Sequence, residues 1–253
     1  MLRETIKTII IFLFINTSLN AQNGWSVKSP FGGSSRYNSV GFSINGKGYA
    51  GTGSDSLNAT LTDLYEYDPI TDSWTQKASL IGPGVTTAVA FSIGNKGYLG
   101  TGALNGFING CPTTKNFYEY DPNTNQWTQK ADYLGDPINN GFGFAINGKG
   151  YIGSGNANSC GGIKSDFYEY DPTNNTWSQK ANIPALGGVY KGVAFTIGSK
   201  GYVGTGGNQN PYLFSLWEYD PTTNTWTQKA DYPGKAPLNA TGFAINGYGY
   251  IGT

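Results

Sequence analysis

Leu64-Tyr65-Glu66-Tyr67-Asp68-Pro69 and, a few residues on, Trp74-Thr75-Gln76-Lys77-Ala78 form a phrase that the chain repeats. It returns from Phe117 to Ala131, from Phe167 to Ala181 and from Leu216 to Ala230. A further tryptophan, Trp25, keeps the same beat: the spacings along Trp25, Trp74, Trp127, Trp177 and Trp226 are 49, 53, 50 and 49 residues. A fixed period of this size marks a repeat architecture, in which each copy is one supersecondary unit that buries its apolar surface on its neighbours. Residues recurring in every copy then belong to the scaffold, and function belongs where the copies differ.

Within each period, four short runs alternate apolar and polar residues and are separated by turn chemistry. The first run is Val40 to Ile44, with counterparts Val89 to Ile93, Phe142 to Ile146, Val193 to Ile197 and Thr241 to Ile245. Two-residue turns follow: Asn45-Gly46, Gly94-Asn95, Asn147-Gly148, Gly198-Ser199 and Asn246-Gly247. Asn-Gly accepts positive φ at both positions, as a tight hairpin requires. The second run is Gly48 to Gly53 and its relatives. The third is Tyr-Glu-Tyr, ended by Asp-Pro, where proline removes the donor that would continue the ladder. The fourth starts at the Trp and ends at Ala.

Each repeat therefore reads as a four-stranded antiparallel meander. Such a sheet cannot bury both faces alone, and stacking copies around an axis gives an all-β propeller. Residue sizes agree: the position before the first-strand Phe is Gly41, Ala90, Gly143, Ala194 and Gly242, always small, as crowding towards an axis requires. Phe42, Phe91, Phe144, Phe195 and Phe243 then point into the contact between blades. Aromatic residues are 15% of the chain and read as core, against the alternative of a sugar-binding platform.

Tyr-x-Tyr-Asp-Pro-x-Thr-x-x-Trp, preceded by a Gly-rich second strand, resembles the kelch repeat of secreted bacterial proteins, over about nine tenths of residues 22–253. The chain departs from it in carrying Gly51-Thr52-Gly53, Gly100-Thr101-Gly102, Gly153-Ser154-Gly155 and Gly204-Thr205-Gly206 where that repeat has a Gly-Gly pair. The resemblance implies a kelch-type propeller with blades at about 36–78, 87–131, 141–181 and 192–230 and a partial fifth at 241–253. It also implies closure by strands from both termini within one blade, with residues 25–28 as the outer strand. A third strand for that blade is missing, so the expectation is a C-terminally truncated chain whose one or two further blades complete the ring, the alternative being a complete five-bladed ring.

The first 21 residues stand outside the repeat. Arg3 and Lys7 precede an apolar core, Thr8 to Ile15, and Leu19-Asn20-Ala21 gives a small-residue exit. They read as an export signal, with an uncleaved anchor as the alternative, and the expected location is extracytoplasmic. The core is short for a bilayer and no later stretch is apolar enough to span one. Removing the segment takes Arg3, Lys7 and Glu4 from 16 basic and 16 acidic residues, leaving a nearly neutral chain without the basic surface that nucleic-acid binding needs. The two cysteines, Cys111 and Cys160, fall in the variable stretches of neighbouring copies. In an oxidising compartment they are expected to form a disulfide, the alternative being two free thiols.

The connections fall into two classes. First-to-second and third-to-fourth turns are short and nearly invariant, whereas those after the second and fourth strands are long and differ in every copy. In a meander both long classes emerge on one face, and variable loops on a rigid scaffold are where binding concentrates. Candidate ligand-binding residues lead into the first strands, nearest the channel mouth: Arg36, Tyr37, Asn139, Asn140, Tyr190, Lys191 and Asn239, with Thr86 and Thr87 beside them. Arg36 suits a carboxylate or sugar acid; alternatively it sits in solvent or pairs with a blade carboxylate.

No histidine is present, so the commonest general base and metal ligand are missing. Copper radical oxidases resembling galactose oxidase share the kelch fold and need His ligands, which excludes that chemistry. Other kelch propellers resemble sialic-acid mutarotases, which need only acid-base groups near a bound sugar, so Arg36 with Asp55 or Asp136 keeps that alternative open. Asp121-x-Asn123-x-Asn125 mimics a calcium spacing but reads as a turn. The expectation is a secreted binding or interaction module for protein or glycan, with no catalytic residue, metal or cofactor assigned. The alternatives are a sugar-acid mutarotase or epimerase on the same face and a spacer propeller in a larger exported protein.

Overall fold

The computed structural model describes residues 26–104, 112–157, 162–185, 187–208, 212–234 and 238–252. Blade one consists of β1 (Val40–Ile44), β2 (Lys47–Gly51), β3 (Leu64–Asp68) and β4 (Ser73–Lys77). Blade two holds β5 (Val89–Ile93), β6 (Lys96–Gly100), β7 (Phe117–Asp121) and β8 (Gln126–Gln129). After the short β9 (Ile138–Asn139), blade three runs through β10 (Phe142–Ile146) and β11 (Lys149–Gly153), then the short β12 (Asn156–Ala157), β13 (Phe167–Asp171) and β14 (Thr176–Lys180). Blade four is β15 (Val193–Ile197), β16 (Lys200–Gly204), β17 (Leu216–Asp220) and β18 (Thr225–Gln228). The hairpin β19 (Thr241–Ile245) and β20 (Tyr248–Gly252) follows. Each four-stranded blade is an antiparallel meander in chain order, and no helix occurs among the described residues.

The turns form for the expected reasons. Asn45-Gly46, Asn147-Gly148 and Asn246-Gly247 hold positive φ at both central residues, the type I′ geometry. Gly94 and Gly198 hold it at the first position only, as type II′ turns require. At the third-to-fourth turns, Asp68, Asp121, Asp171 and Asp220 each accept the N–H two residues on, the Asx geometry that closes Asp-Pro-x.

Inner strands β1, β5, β10, β15 and β19 pack side by side in chain order. They enclose a channel of about 560 Å³ whose lining includes Gly41, Ala90, Gly143, Ala194 and Gly242. Facing away from it, the first-strand Phe of blades one to four lies over a glycine in the following second strand. A methyl group at Gly97 would stand 2.4 Å from the Phe42 ring, at Gly150 2.5 Å from Phe91, and at Gly201 and Gly249 2.4 Å from Phe144 and Phe195. This knob-in-notch contact is the repeating core between blades, and it explains why Gly-Tyr opens every second strand.

Two boundaries differ from expectation. The second strands end at Gly51, Gly100, Gly153 and Gly204, because Thr52, Thr101, Ser154 and Thr205 have φ between 55° and 60° and leave the ladder. The glycine after each of the first three turns its N–H to the following blade: Gly53 donates to Val85 O, Gly102 to Ile138 O and Gly155 to Val189 O, each at 2.8 Å. Gly-Thr-Gly is thus an interblade link. Of the expected outer strand 25–28, residues 26–28 are exposed and belong to no strand, and Trp25 lies outside the described residues. Cys111 and Cys160 lie outside them too.

Candidate functional site at the channel mouth

Two residues before each inner strand the chain passes through a left-handed residue: Asn38, Thr87, Asn140, Lys191 and Asn239, with φ between 53° and 57°. The twist takes each N–H out of its own blade and towards the blade before. Thr87 donates to Asn38 O (3.1 Å), Asn140 to Thr87 O (3.0 Å), Lys191 to Asn140 O (3.1 Å) and Asn239 to Lys191 O (3.2 Å). A belt of backbone hydrogen bonds therefore runs from blade to blade around the mouth. Asparagine suits the conformation, whereas threonine and lysine adopt it at a cost of about 1–2 kcal/mol each. Because the belt consumes these peptide groups, side chains are what the mouth offers a ligand.

The five belt residues and their successors line a depression of about 160 Å³ above the channel. Asn140 Nδ2 donates to Asn139 Oδ1 (2.6 Å) and Thr87 Oγ1 to Thr86 O (2.6 Å), which orients both side chains. Lys191 brings the only charged side chain of the lining, and makes no ion pair among the described residues. The depression thus presents amides, the hydroxyls of Ser39 and Thr87 and one ammonium, and no carboxylate lines it among the described residues.

The structure brings together three of the expected residues, Asn140, Lys191 and Asn239. Asn139 is buried in β9, paired with Asn156. Tyr37 and Tyr190 turn away to pair with Ser54 and Gly207, and the Tyr37 hydroxyl donates to Asn58. Asn38 was missed by the sequence argument. Its signal is positional, since every belt residue stands at the same offset before its strand.

Arg36 requires a correction. Its Nη1 and Nη2 donate to Asp63 Oδ1 and Oδ2 at 2.5 and 2.7 Å, and Nε donates to Ser34 O at 3.1 Å. Its guanidinium carbon lies 4.8 Å from the Phe31 ring centroid, and its side chain is 5% exposed. It lines a separate depression of about 380 Å³ beside Phe31 and Ala50. The free guanidinium expected at the mouth is instead a fork-to-fork structural pair, which satisfies most of its donors. Asp55 caps its own loop by accepting from Leu57 N and Ala59 N, and Asp136 pairs with Lys164, so neither faces the belt.

The repeated glutamates are structural as well. Glu66 accepts from the Tyr49 hydroxyl (2.5 Å) and Lys47 (2.9 Å), and Glu119 from Tyr98 (2.6 Å) with Lys96 and Lys130 close by. Burial alone would raise these carboxyls, yet the tyrosine bond and the flanking ammonium groups hold Glu66, Glu119 and Glu218 below the usual range. Burial, followed by the bond to Glu218, pushes Tyr202 up to about 12.

No protein-family model and no curated protein sequence matches the chain. Among solved structures it is similar to that of YjhT, with a TM-score of 0.73 and 18% identity, over 87% of this chain and 73% of that one. At that identity the likeness is one of fold. The chain is a β-propeller, as its four stacked meanders require.

Proposed function

We propose that this propeller is of the kelch type and serves as an exported binding or interaction module, taking protein or glycan on its long-loop face. The observation that carries this is the belt: five left-handed residues from five successive inner strands, fixed by backbone bonds, present Asn38, Thr87, Asn140, Lys191 and Asn239 around one depression. A rigid frame with adaptable amide groups suits recognition of hydroxyls and peptide groups, and the unpaired Lys191 suits an acidic substituent. An acid-base mechanism on a sugar needs a carboxylate or its equivalent within reach, and this lining has none, which favours binding over isomerisation.

The test is a screen of neutral glycans, sugar acids and acidic peptides against the full chain, repeated with Lys191→Asn and Asn140→Gly. Both replacements tolerate positive φ, so the belt stays intact. A ligand of the mouth should bind about tenfold more weakly to each. Undiminished binding by both variants would place the ligand elsewhere and end this reading.

A further inference from the structure

The mouth is not chemically uniform around its rim. Asn38, Asn140 and Asn239 suit the left-handed backbone of the belt, whereas Thr87 and Lys191 hold it at φ 54° and 53° against their type. A β-branched residue and a lysine kept in that region mark positions where the side chain outweighs the backbone. The two stand on either side of Asn140 in the belt: Asn140 N donates to Thr87 O and Lys191 N to Asn140 O. All three lead into β5, β10 and β15, each of which packs between two other inner strands.

Hydrogen bonds already made decide what this arc offers. The Thr87 hydroxyl commits its hydrogen to Thr86 O, which leaves the lone pairs of Oγ1. Asn140 commits an Nδ2 hydrogen to Oδ1 of the buried Asn139, which turns its own Oδ1 to the depression. Two acceptors therefore stand together, and Lys191 adds ammonium donors and a positive charge beside them. The next residues, Ala88, Gly141 and Gly192, line the depression and the channel alike, so nothing longer than a methyl group separates the two there. No aromatic ring lines the depression among the described residues, which removes the flat apolar surface on which a sugar ring packs.

We propose that this arc holds the carboxyl terminus of a peptide chain, an assignment that rests on the binding role of the mouth and names the ligand within it. Lys191 pairs with the terminal carboxylate. The N–H of the last residue donates to Asn140 Oδ1, with Thr87 Oγ1 as the second acceptor beside it, and the last side chain enters the channel between Ala88, Gly141 and Gly192. Capture of a chain terminus by polar groups already held in place is a recurring mode of peptide recognition. A peptide N–H matches acceptors that have no hydrogen left to give. A sugar hydroxyl brings lone pairs of its own, and those two acceptors leave them unmet.

The probe is the tripeptide acetyl-Gly-Gly-Ala as the free acid, as the C-terminal amide and with its last nitrogen methylated, each titrated into the full chain and followed by NMR. The free acid should bind, and each modified peptide about tenfold more weakly. With Lys191→Asn the acid and the amide should bind alike, and with Asn140→Gly the penalty of methylation should fall. A general loss of structure would not produce those two matched losses of discrimination. Binding by none of the three peptides overturns the assignment, as does equal binding of acid and amide to the unsubstituted chain. So does binding of glucuronate, dependent on Lys191, where the tripeptide does not bind; the mouth then remains a binding site, and its ligand is a sugar acid.

Discussion

Gly143 to Gly153 and Gly242 to Gly252 are the same sequence except at Lys149 and Tyr248. They fold to the same hairpin in the same register, Phe144 opposite Tyr151 and Phe243 opposite Tyr250. Their surroundings differ completely: Phe144, Ile146 and Tyr151 are 4%, 2% and 2% exposed, whereas Phe243, Ile245 and Tyr250 are 47%, 53% and 48% exposed. The Phe144 knob fills the notch at Gly201, and no described blade offers a notch to Phe243. Local sequence therefore settles the hairpin, through Asn-Gly and the alternation of side chains, and the neighbouring blade settles what the hairpin is worth. In a propeller most stability lives in contacts between repeats, so identical residues carry unequal energies.

Paired truncations break or support that comparison most directly. Phe144→Ala should destabilise the chain by about 3–5 kcal/mol in denaturant unfolding, the usual cost of emptying a buried Phe site. Phe243→Ala should cost less than half of that, because about half its ring surface is already in water. Equal costs would mean that the β19–β20 face is covered in solution.

The upstream side of blade one offers a second contrast. Arg36 occupies the position at which later repeats place Val85, Ile138 and Val189, each at most 2% exposed. There an apolar residue plugs the contact between blades; here a guanidinium pairs with Asp63 of its own blade and lies over Phe31. Arg36→Ala leaves Asp63 without its partner and should cost about 2 kcal/mol, whereas mouth ligands should bind as before. Joint replacement by Met at Arg36 and Leu at Asp63 should recover most of the loss. A variant of unchanged stability but weakened binding would return Arg36 to the ligand site.

These contrasts show what the sequence could yield. Hairpins, Asx turns and the small residues on the channel wall depend on neighbours within a few positions, and Gly41, Ala90, Gly143, Ala194 and Gly242 were legible for that reason. So was the side of the molecule on which the variable loops lie. The Arg36–Asp63 pair spans 27 residues and two loops, and nothing local distinguishes it from a free arginine. The belt escaped because its determinant is a backbone sign, shared by Asn, Thr and Lys, that no residue type spells out. Asn140, Lys191 and Asn239 were found through their nearness to the inner strand. Tyr37 and Tyr190 failed one residue upstream, where alternation points the side chain the other way.

A side-chain bond between blades tests whether repeat contacts carry similar weight. Asn175 accepts from both Ala131 N and the Tyr170 hydroxyl, the latter at 2.9 Å. Asn175→Ala should cost about 1–2 kcal/mol, through those two lost bonds and the left-handed backbone that alanine dislikes. Asn175→Gly keeps the backbone at ease and isolates the hydrogen bonds. If the two variants were equally destabilised, the side-chain contacts would account for the whole effect.

The finest test changes the single residue that separates the two hairpins. Lys149 reaches Asp171 at 2.5 Å, and this bond, ahead of those from Thr173 N–H and the Asn174 amide, holds the Asp171 carboxyl down from 3.8 to about 2. An acid with a depressed pKa contributes stability that is complete above its unfolded value and is lost as pH falls through the folded one. Wild-type stability should therefore decline between about pH 4 and pH 2 in part through this group. Lys149→Tyr gives blade three the sequence of the β19–β20 hairpin and removes the ammonium. The variant should be slightly less stable at neutral pH, with a shallower acid limb, and the two curves should draw together near pH 2. If the limb is unchanged, the turn amides alone hold Asp171 ionised, and Lys149 and Tyr248 are interchangeable in the folded state.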